Sequence, residues 1–230
     1  MSILKTDRNI TYKEARLSDY QLADDLYLYP TPAGAFHAVS SAEDDPTRDL
    51  LRHILSFQSC PKAEINKLCE WLGVDDEQQA LALLHQAQTM SWIHGLKEAK
   101  EIHDAGIGEE MATLIPQLSS IGKGLLVDDN GFSLARSGVD DPTAEALSAL
   151  TADLLSVQDR HAKRMEKHLG VTTQAWGAVD AFGASRIGVW PLYVGDYRFS
   201  LVLLGVPQLN RQEFVALVWS LMKRYGGESK

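Results

Sequence analysis

The sequence predicts an α+β protein in which a mainly helical first half precedes a helix–sheet–helix sandwich. Two observations predict the sandwich. The pair Asn130-Gly131 separates two short apolar runs, which favours the tight turn of a β-hairpin. The run at 199–205 is apolar at both alternating sets of positions, which is typical of a central strand covered on both faces. The helical first half follows from apolar residues spaced three and four apart between residues 45 and 90.

Residues 1–44 are polar at first and then carry two short apolar runs around Pro30-Thr31-Pro32. Proline presets φ for turns and blocks helix, so this pattern predicts extended segments that meet at a turn. An N-terminal arm and a small hairpin are both consistent with it.

Three helices and a short strand are predicted between residues 45 and 104. The helices are predicted at 45–59, 62–72 and 75–90, and the strand at 92–96. Pro61 disfavours helix at the residue before it, and Gly73 is a suitable end for the second helix. This arrangement resembles a winged-helix domain. Residues 97–108 are charged and close with two glycines, so we predict the domain boundary there.

The second half is predicted to follow the order α-ββ-α-βββ-α. Its helices are predicted at 109–121, 143–169 and 211–225, and its strands at 124–128, 132–137, 176–182, 186–194 and 197–206. Pro191 removes a hydrogen-bond donor from the fourth strand, so we expect an edge, a bulge or a strand end near it.

This order, together with LLVDDNGFSLARSG at residues 125–138, resembles the Roadblock/LC7 family over about residues 108–227. The resemblance implies a homodimer in which the third strand pairs with its copy and the long helices, 143–169, pack side by side. The implied dimer-strand residues are Trp176, Ala178, Asp180 and Phe182. It also implies a noncatalytic role, because similar bacterial proteins regulate or scaffold small Ras-like GTPases. In such proteins the first and last helices build most of the partner-binding face.

The winged-helix resemblance raises a second hypothesis, a transcription regulator that binds DNA and uses the Roadblock-like half for dimerisation. Charge opposes it. Residues 45–104 hold six basic and ten acidic side chains, and the third helix opens with Asp75-Asp76-Glu77. The electrostatic attraction that supplies most nonspecific DNA affinity is therefore missing, and we expect no nucleic-acid partner.

Composition indicates an ordinary globular chain of 230 residues, long enough for two small domains, with 45% hydrophobic and 23% charged residues. No apolar run approaches the ~20 residues of a membrane span, and the first residues lack the apolar core of a signal peptide. We therefore expect a cytoplasmic protein without membrane insertion. The net charge of −9 lies mostly in residues 1–107, which contribute −7.

Motifs for catalysis are missing from the sequence. The seven histidines form no close ligand pair, and the two cysteines make neither a disulfide framework nor a metal site. Neither Gly106-Ile-Gly108 nor Gly122-Lys-Gly124 has the spacing of a phosphate loop. We expect no enzyme activity, no cofactor and no metal.

Two candidate surfaces remain. In the last helix, Val215, Trp219 and Met222 form an apolar stripe beside the one that faces the sheet, so they contact either a separate partner or this chain's own first half. In the long helix, a basic patch either binds an anion or partner, or interacts with the partial negative charge of the helix end. The patch consists of Arg160, Lys163, Arg164 and Lys167. The Roadblock/LC7 resemblance thus implies a noncatalytic homodimeric adaptor or regulator, acting on a small Ras-like GTPase or a related assembly.

Overall fold

The computed structural model describes residues 1–6, 20–23, 25–102 and 106–227. The elements of the first half are β1 (Leu4–Thr6), β2 (Tyr20–Leu22), β3 (Tyr27–Pro30), α1 (Pro32–Val39), α2 (Pro46–Ser56), α3 (Ile65–Leu72), α4 (Glu77–Thr89) and β4 (Ile93–Leu96). Strand β1 pairs with β2, and β3 pairs with β4, both antiparallel. The three helices and the strand predicted at residues 45–96 are confirmed within a few residues.

The predicted extended segments around residue 31 are only half right, because a strand is followed by a helix. Thr31 caps α1 by accepting a hydrogen bond from the Gly34 backbone N–H (3.1 Å), and Pro32 occupies the first helical turn, where its missing N–H has no cost. Residues 7–19 of the predicted arm lie outside the described residues. The predicted domain limits stay predictions, with domains at 1–44, 45–104 and 108–227. The winged-helix resemblance also stays a prediction.

The second half has the predicted element order. Its elements are α5 (Ile107–Leu114), a 3-10 turn (Ile115–Leu118), β5 (Gly124–Val127), β6 (Ser133–Ser137), α6 (Asp141–Leu169), β7 (Trp176–Val179), β8 (Ser185–Val194), β9 (Tyr197–Leu204) and α7 (Gln212–Tyr225). The five strands form one antiparallel sheet in the order β6-β5-β9-β8-β7. The first helix ends earlier than predicted, because Pro116 cannot continue the α-helical hydrogen bonding.

The hairpin is confirmed, but its turn differs from the predicted two-residue turn. Gly131 takes a positive φ (82°), whereas Asn130 does not. The Asp128 carboxylate instead accepts hydrogen bonds from the backbone N–H groups of Asn130 (3.0 Å) and Phe132 (2.8 Å). Because the aspartate accepts hydrogen bonds from the turn's backbone N–H groups, the turn needs only one residue with positive φ, the glycine three residues later.

The same turn closes β7 and β8. Asp180 accepts hydrogen bonds from the backbone N–H groups of Phe182 (2.9 Å) and Ala184 (3.0 Å), and Gly183 takes a φ of 80°. The predicted strand 176–182 therefore ends at Val179. Asp180 and Phe182 lie in the turn and not in the strand.

Helices cover both faces of the sheet, as predicted. Helix α6 packs on Leu125, Val127 and Val202, whereas α5 and α7 cover Leu126 and Leu201 on the opposite face. The core on the α7 side continues without a break into the helices of the first half. It therefore joins the two halves of the chain.

Pro191 lies at an edge, as the sequence predicts. The ladder of β7 on β8 ends at Val189, and Pro191 pairs only with Ser200 of β9 on the other side. The missing N–H of the proline therefore breaks no ladder hydrogen bond.

Candidate functional site

An uncovered edge of the sheet lies next to an apolar side of α6. Among the described residues, strand β7 pairs with β8 on one side and has no strand on its other side, and Val179 is 63% exposed. Helix α6 packs mainly over β5, β6 and β9, so its apolar side lies next to the β7 edge of the sheet. We call this region the α6–β7 surface. It is lined by Leu150, Leu154, Val157, Trp176, Ala178 and Ile187.

Two depressions lie along this surface, one on each side of Trp176. One, of about 230 Å³, lies between Leu154 and Ala178, and the other, of about 400 Å³, lies against His161 and Leu169. The Trp176 indole N–H donates to Gln158 Oε1 of α6 at 3.0 Å. This hydrogen bond fixes the start of β7 against the helix, so the strand edge and the helix side form one continuous surface.

The predicted dimer-strand residues are divided by the turn. Trp176 and Ala178 line the α6–β7 surface. Asp180 forms an ion pair with Arg186 at 2.9 Å, and Phe182 is 97% exposed at the tip of the turn. Their part in a dimer stays a prediction.

The basic patch as one anion or partner site stays a prediction. Its four side chains are exposed along the last turns of α6, and two of them line different depressions. Arg164 lines the larger depression of the α6–β7 surface, whereas Lys163 lines a separate cavity toward the first half. Lys167 lies in the last turn of the helix, before the left-handed Gly170 (φ 65°), where a cation favourably meets the helix dipole. The helix-end alternative thus accounts for Lys167 better than a shared anion site does.

The apolar stripe of α7 contacts this chain's own first half. Val215, Trp219 and Met222 are all buried, and α7 packs against α1 and α2. The Trp219 indole N–H donates to the Phe57 backbone carbonyl at 2.7 Å, and its ring meets that of Tyr29 edge-on at 6.2 Å. An internal interface thus replaces the predicted partner-binding surface, because a separate protein cannot reach these three residues.

A His–Asp–Thr cluster in the first half has the residue types of a catalytic triad without its geometry. His37 Nε2 lies 3.4 Å from Asp45 Oδ1 and 3.3 Å from Thr47 Oγ1, so one ring nitrogen meets both partners. A triad needs the two nitrogens to face different partners. The Thr47 hydroxyl donates to Asp45 at 2.6 Å, and Thr47 is buried beyond the reach of a substrate. Burial lowers the pKa of His37, against the opposing effect of Asp45.

The described ranges contain no group of three or more side chains that could hold a metal ion. Within the same ranges, no helix is both long enough and apolar enough to cross a bilayer.

The resemblance implies that the long helices pack together in a dimer, but no α6 residue of this surface was predicted from the sequence. The signal for these residues is present in the sequence, since apolar residues recur at 150, 154 and 157 with helical spacing. Leu147 and Thr151, on the neighbouring side of the helix, face the sheet. The sheet-facing side and the side with residues 150, 154 and 157 lie so close together that periodicity alone cannot separate them.

No protein-family model matches the chain, and no curated protein matches it. Solved structures that are similar in fold to part of it include the following three. The Roadblock/LC7 domain from Streptomyces avermitilis is 15% identical and covers 50% of this chain and 94% of its own, with a TM-score of 0.36. MglB of Myxococcus xanthus is 18% identical, covers 52% of this chain and 94% of its own, and has a TM-score of 0.36. The gliding protein MglB from Thermus thermophilus is 18% identical, with coverages of 56% and 96% and a TM-score of 0.35.

Proposed function

We propose that this protein is a noncatalytic homodimeric adaptor or regulator whose two copies meet at the α6–β7 surface. The observation that carries this proposal is the bare edge of β7 beside an apolar helix side. An unpaired edge strand attracts other strands, and proteins protect such edges by covering them. A two-fold axis beside β7 would pair the strand with its copy and bury both apolar surfaces together.

The noncatalytic part of the proposal is supported by the side chains that do occur together. The His37 cluster lacks a nucleophile that a substrate could reach, and the α6–β7 surface is largely apolar. Surfaces of this kind bind other proteins. In this proposal the second copy occupies that surface. We propose in addition a separate protein partner, and it is the family resemblance of residues 108–227 that favours a small Ras-like GTPase or a related cytoplasmic assembly.

The position of that partner must differ from the one that the resemblance implies. The resemblance implies that the last helix contributes to the partner-binding face, whereas in this protein α1 and α2 cover the apolar stripe of α7. We place the partner on surfaces that remain open after this packing, on the first half and on α5, whose first turn carries the exposed Glu109.

The dimer is tested by introducing a carboxylate into the α6–β7 surface. The wild-type chain should show twice its 25.4 kDa mass in light scattering at micromolar concentration. Ala178→Asp and Val157→Asp should each give the monomer mass, because an unpaired charge buried in an interface costs about 3–5 kcal/mol. Phe132→Asp is the matched control, since Phe132 is an exposed apolar residue on the β5–β6 turn and should leave the dimer intact. A monomeric wild-type protein would contradict the proposal.

The partner class is tested by a pull-down from source lysate with and without a nonhydrolysable GTP analogue. A regulator of a Ras-like GTPase should retain a small GTPase in a way that depends on the nucleotide. If the nucleotide changes nothing and no GTPase is retained, the GTPase part of the proposal fails, whereas the dimer stands or falls by its own experiment.

A further inference from the structure

A cavity of about 590 Å³ lies between the two halves of the chain. Its walls come from the end of α1 and the loop after it, from α2, from the last turns of α6, from residues 171–175 and from β8. This volume is within the range typical of small-molecule sites. We call it the inter-half cavity.

A buried cation that has no carboxylate partner among the described residues lines the inter-half cavity. Arg48 lines it, is only 9% exposed and forms no ion pair with any residue that the structure describes. Its Nε donates to the His37 carbonyl (3.1 Å) and one terminal nitrogen donates to the Glu43 carbonyl. The other terminal nitrogen has no acceptor within the described ranges. Because this nitrogen is not fully buried, it can donate a charge-assisted hydrogen bond to an anion in the cavity.

The known contacts of Arg48 also explain why it lies there. Carbonyl groups at the end of α1 attract a cation, and the loop after the helix needs donors. This structural role uses Nε and one terminal nitrogen and leaves the second terminal nitrogen available. Capping and ligand binding are therefore compatible at this residue.

The remaining polar groups restrict the charge of a ligand. Lys163 also lines the cavity and has no ion-pair partner among the described residues, whereas Glu43 and Glu166 place two carboxylates on the wall. Two cations can hold one negative group, but a dianion would face repulsion from both glutamates. These four charges sum to zero, so a ligand with a single negative group placed at Arg48 and Lys163 meets less repulsion than a dianion would.

Apolar groups line the rest of the wall. Phe36 and Trp190 are partly buried aromatic residues, and Pro191 lies beside them. We propose that the inter-half cavity binds a small amphipathic monocarboxylate, with its carboxylate at Arg48 and Lys163 and its apolar body against Phe36 and Trp190. The dimer experiment and this proposal can be tested separately, because residues 162 and 166 face the cavity from a different side of α6 than Leu150 and Val157.

Calorimetric titration of the full chain with 3-phenylpropionate tests the proposal, with neutral 3-phenylpropionamide as the probe of the same shape. We expect the carboxylate to bind at least about tenfold more tightly than the amide, because a charge-assisted hydrogen bond distinguishes them. Lys163→Gln should weaken carboxylate binding by about tenfold and leave amide binding unchanged. Lys163 makes no fold-stabilising contact with a described residue, so the variant should melt like the wild type.

Lys167→Gln is the matched control, because it removes the same charge from the same helix outside the cavity. It should leave binding of the carboxylate unchanged. Equal affinity for the carboxylate and the amide, or no binding of either, would overturn the proposal. Tighter binding of inorganic phosphate than of 3-phenylpropionate would overturn the assignment to a monoanion.

Discussion

Replacing Trp219 with alanine should lower the free energy of unfolding by about 3–5 kcal/mol, the range for a buried Trp truncated to Ala. The side chain is 5% exposed between α7 and the first half, and the truncation leaves a cavity there. It also leaves the Phe57 carbonyl without its donor. Urea unfolding followed by circular dichroism measures the change.

Two further variants distinguish the loss of apolar volume from the loss of the hydrogen-bond donor and from the truncation of an exposed aromatic side chain. Trp219→Phe keeps most of the apolar volume and removes only the donor, so it should cost about 0.5–1.5 kcal/mol, the net contribution of one hydrogen bond. Phe182→Ala truncates an aromatic side chain that is 97% exposed and should change stability by less than about 0.5 kcal/mol. An unchanged unfolding midpoint for Trp219→Ala would show that this residue does not join the halves.

Substitution of Gly34 by alanine should destabilise the protein by about 3 kcal/mol or more, at the upper end for overpacking. A Cβ at this position would lie 1.9 Å from the backbone carbonyl oxygen of Trp92. Backbone atoms cannot move aside as a flexible side chain can, so α1 would have to separate from the strand end. Thermal unfolding and the loss of soluble protein are the measurements.

The control is the same substitution at a helical glycine with space around it. At Gly108 in α5 the nearest atom to an added Cβ is 3.8 Å away, which is ordinary contact. Gly108→Ala should therefore leave stability unchanged or raise it by up to about 1 kcal/mol, because alanine is the better helix former. Similar destabilisation by both variants would mean that the close approach at Trp92 is not the cause.

Local patterns predicted most of the second half. The turn pair Asn130-Gly131, the two-sided apolar run of β9 and the placement of Pro191 each led to the observed element, because each reports a constraint within a few residues. Strand ends were harder to predict. Whether β7 stops at Val179 or continues to Phe182 depends on the Asp180 side chain, which accepts backbone hydrogen bonds in the turn. The sequence pattern of a strand-like run does not show whether an aspartate in it will form such hydrogen bonds.

The candidate site was less predictable because a pattern of apolar residues indicates burial without indicating what provides it. The stripe of Trp219 was equally compatible with a partner and with the first half, and only the packing of α7 against α1 and α2 decides between them. No sequence pattern predicted that Arg48 is buried. Its burial depends on contacts with the backbone of residues 37 and 43, which the spacing of side chains in a sequence does not encode.

The unbroken core between the halves also bears on how the chain folds. Leu50 and Leu84 of the first half belong to the same buried cluster as Phe214 and Leu201 of the second. Neither segment can complete its hydrophobic interior alone, since α7 supplies side chains to both. The chain should consequently lose its structure in a single cooperative step, with one heat-absorption peak. A fragment ending near residue 104 would expose the leucines that α7 covers, and it would be prone to aggregate.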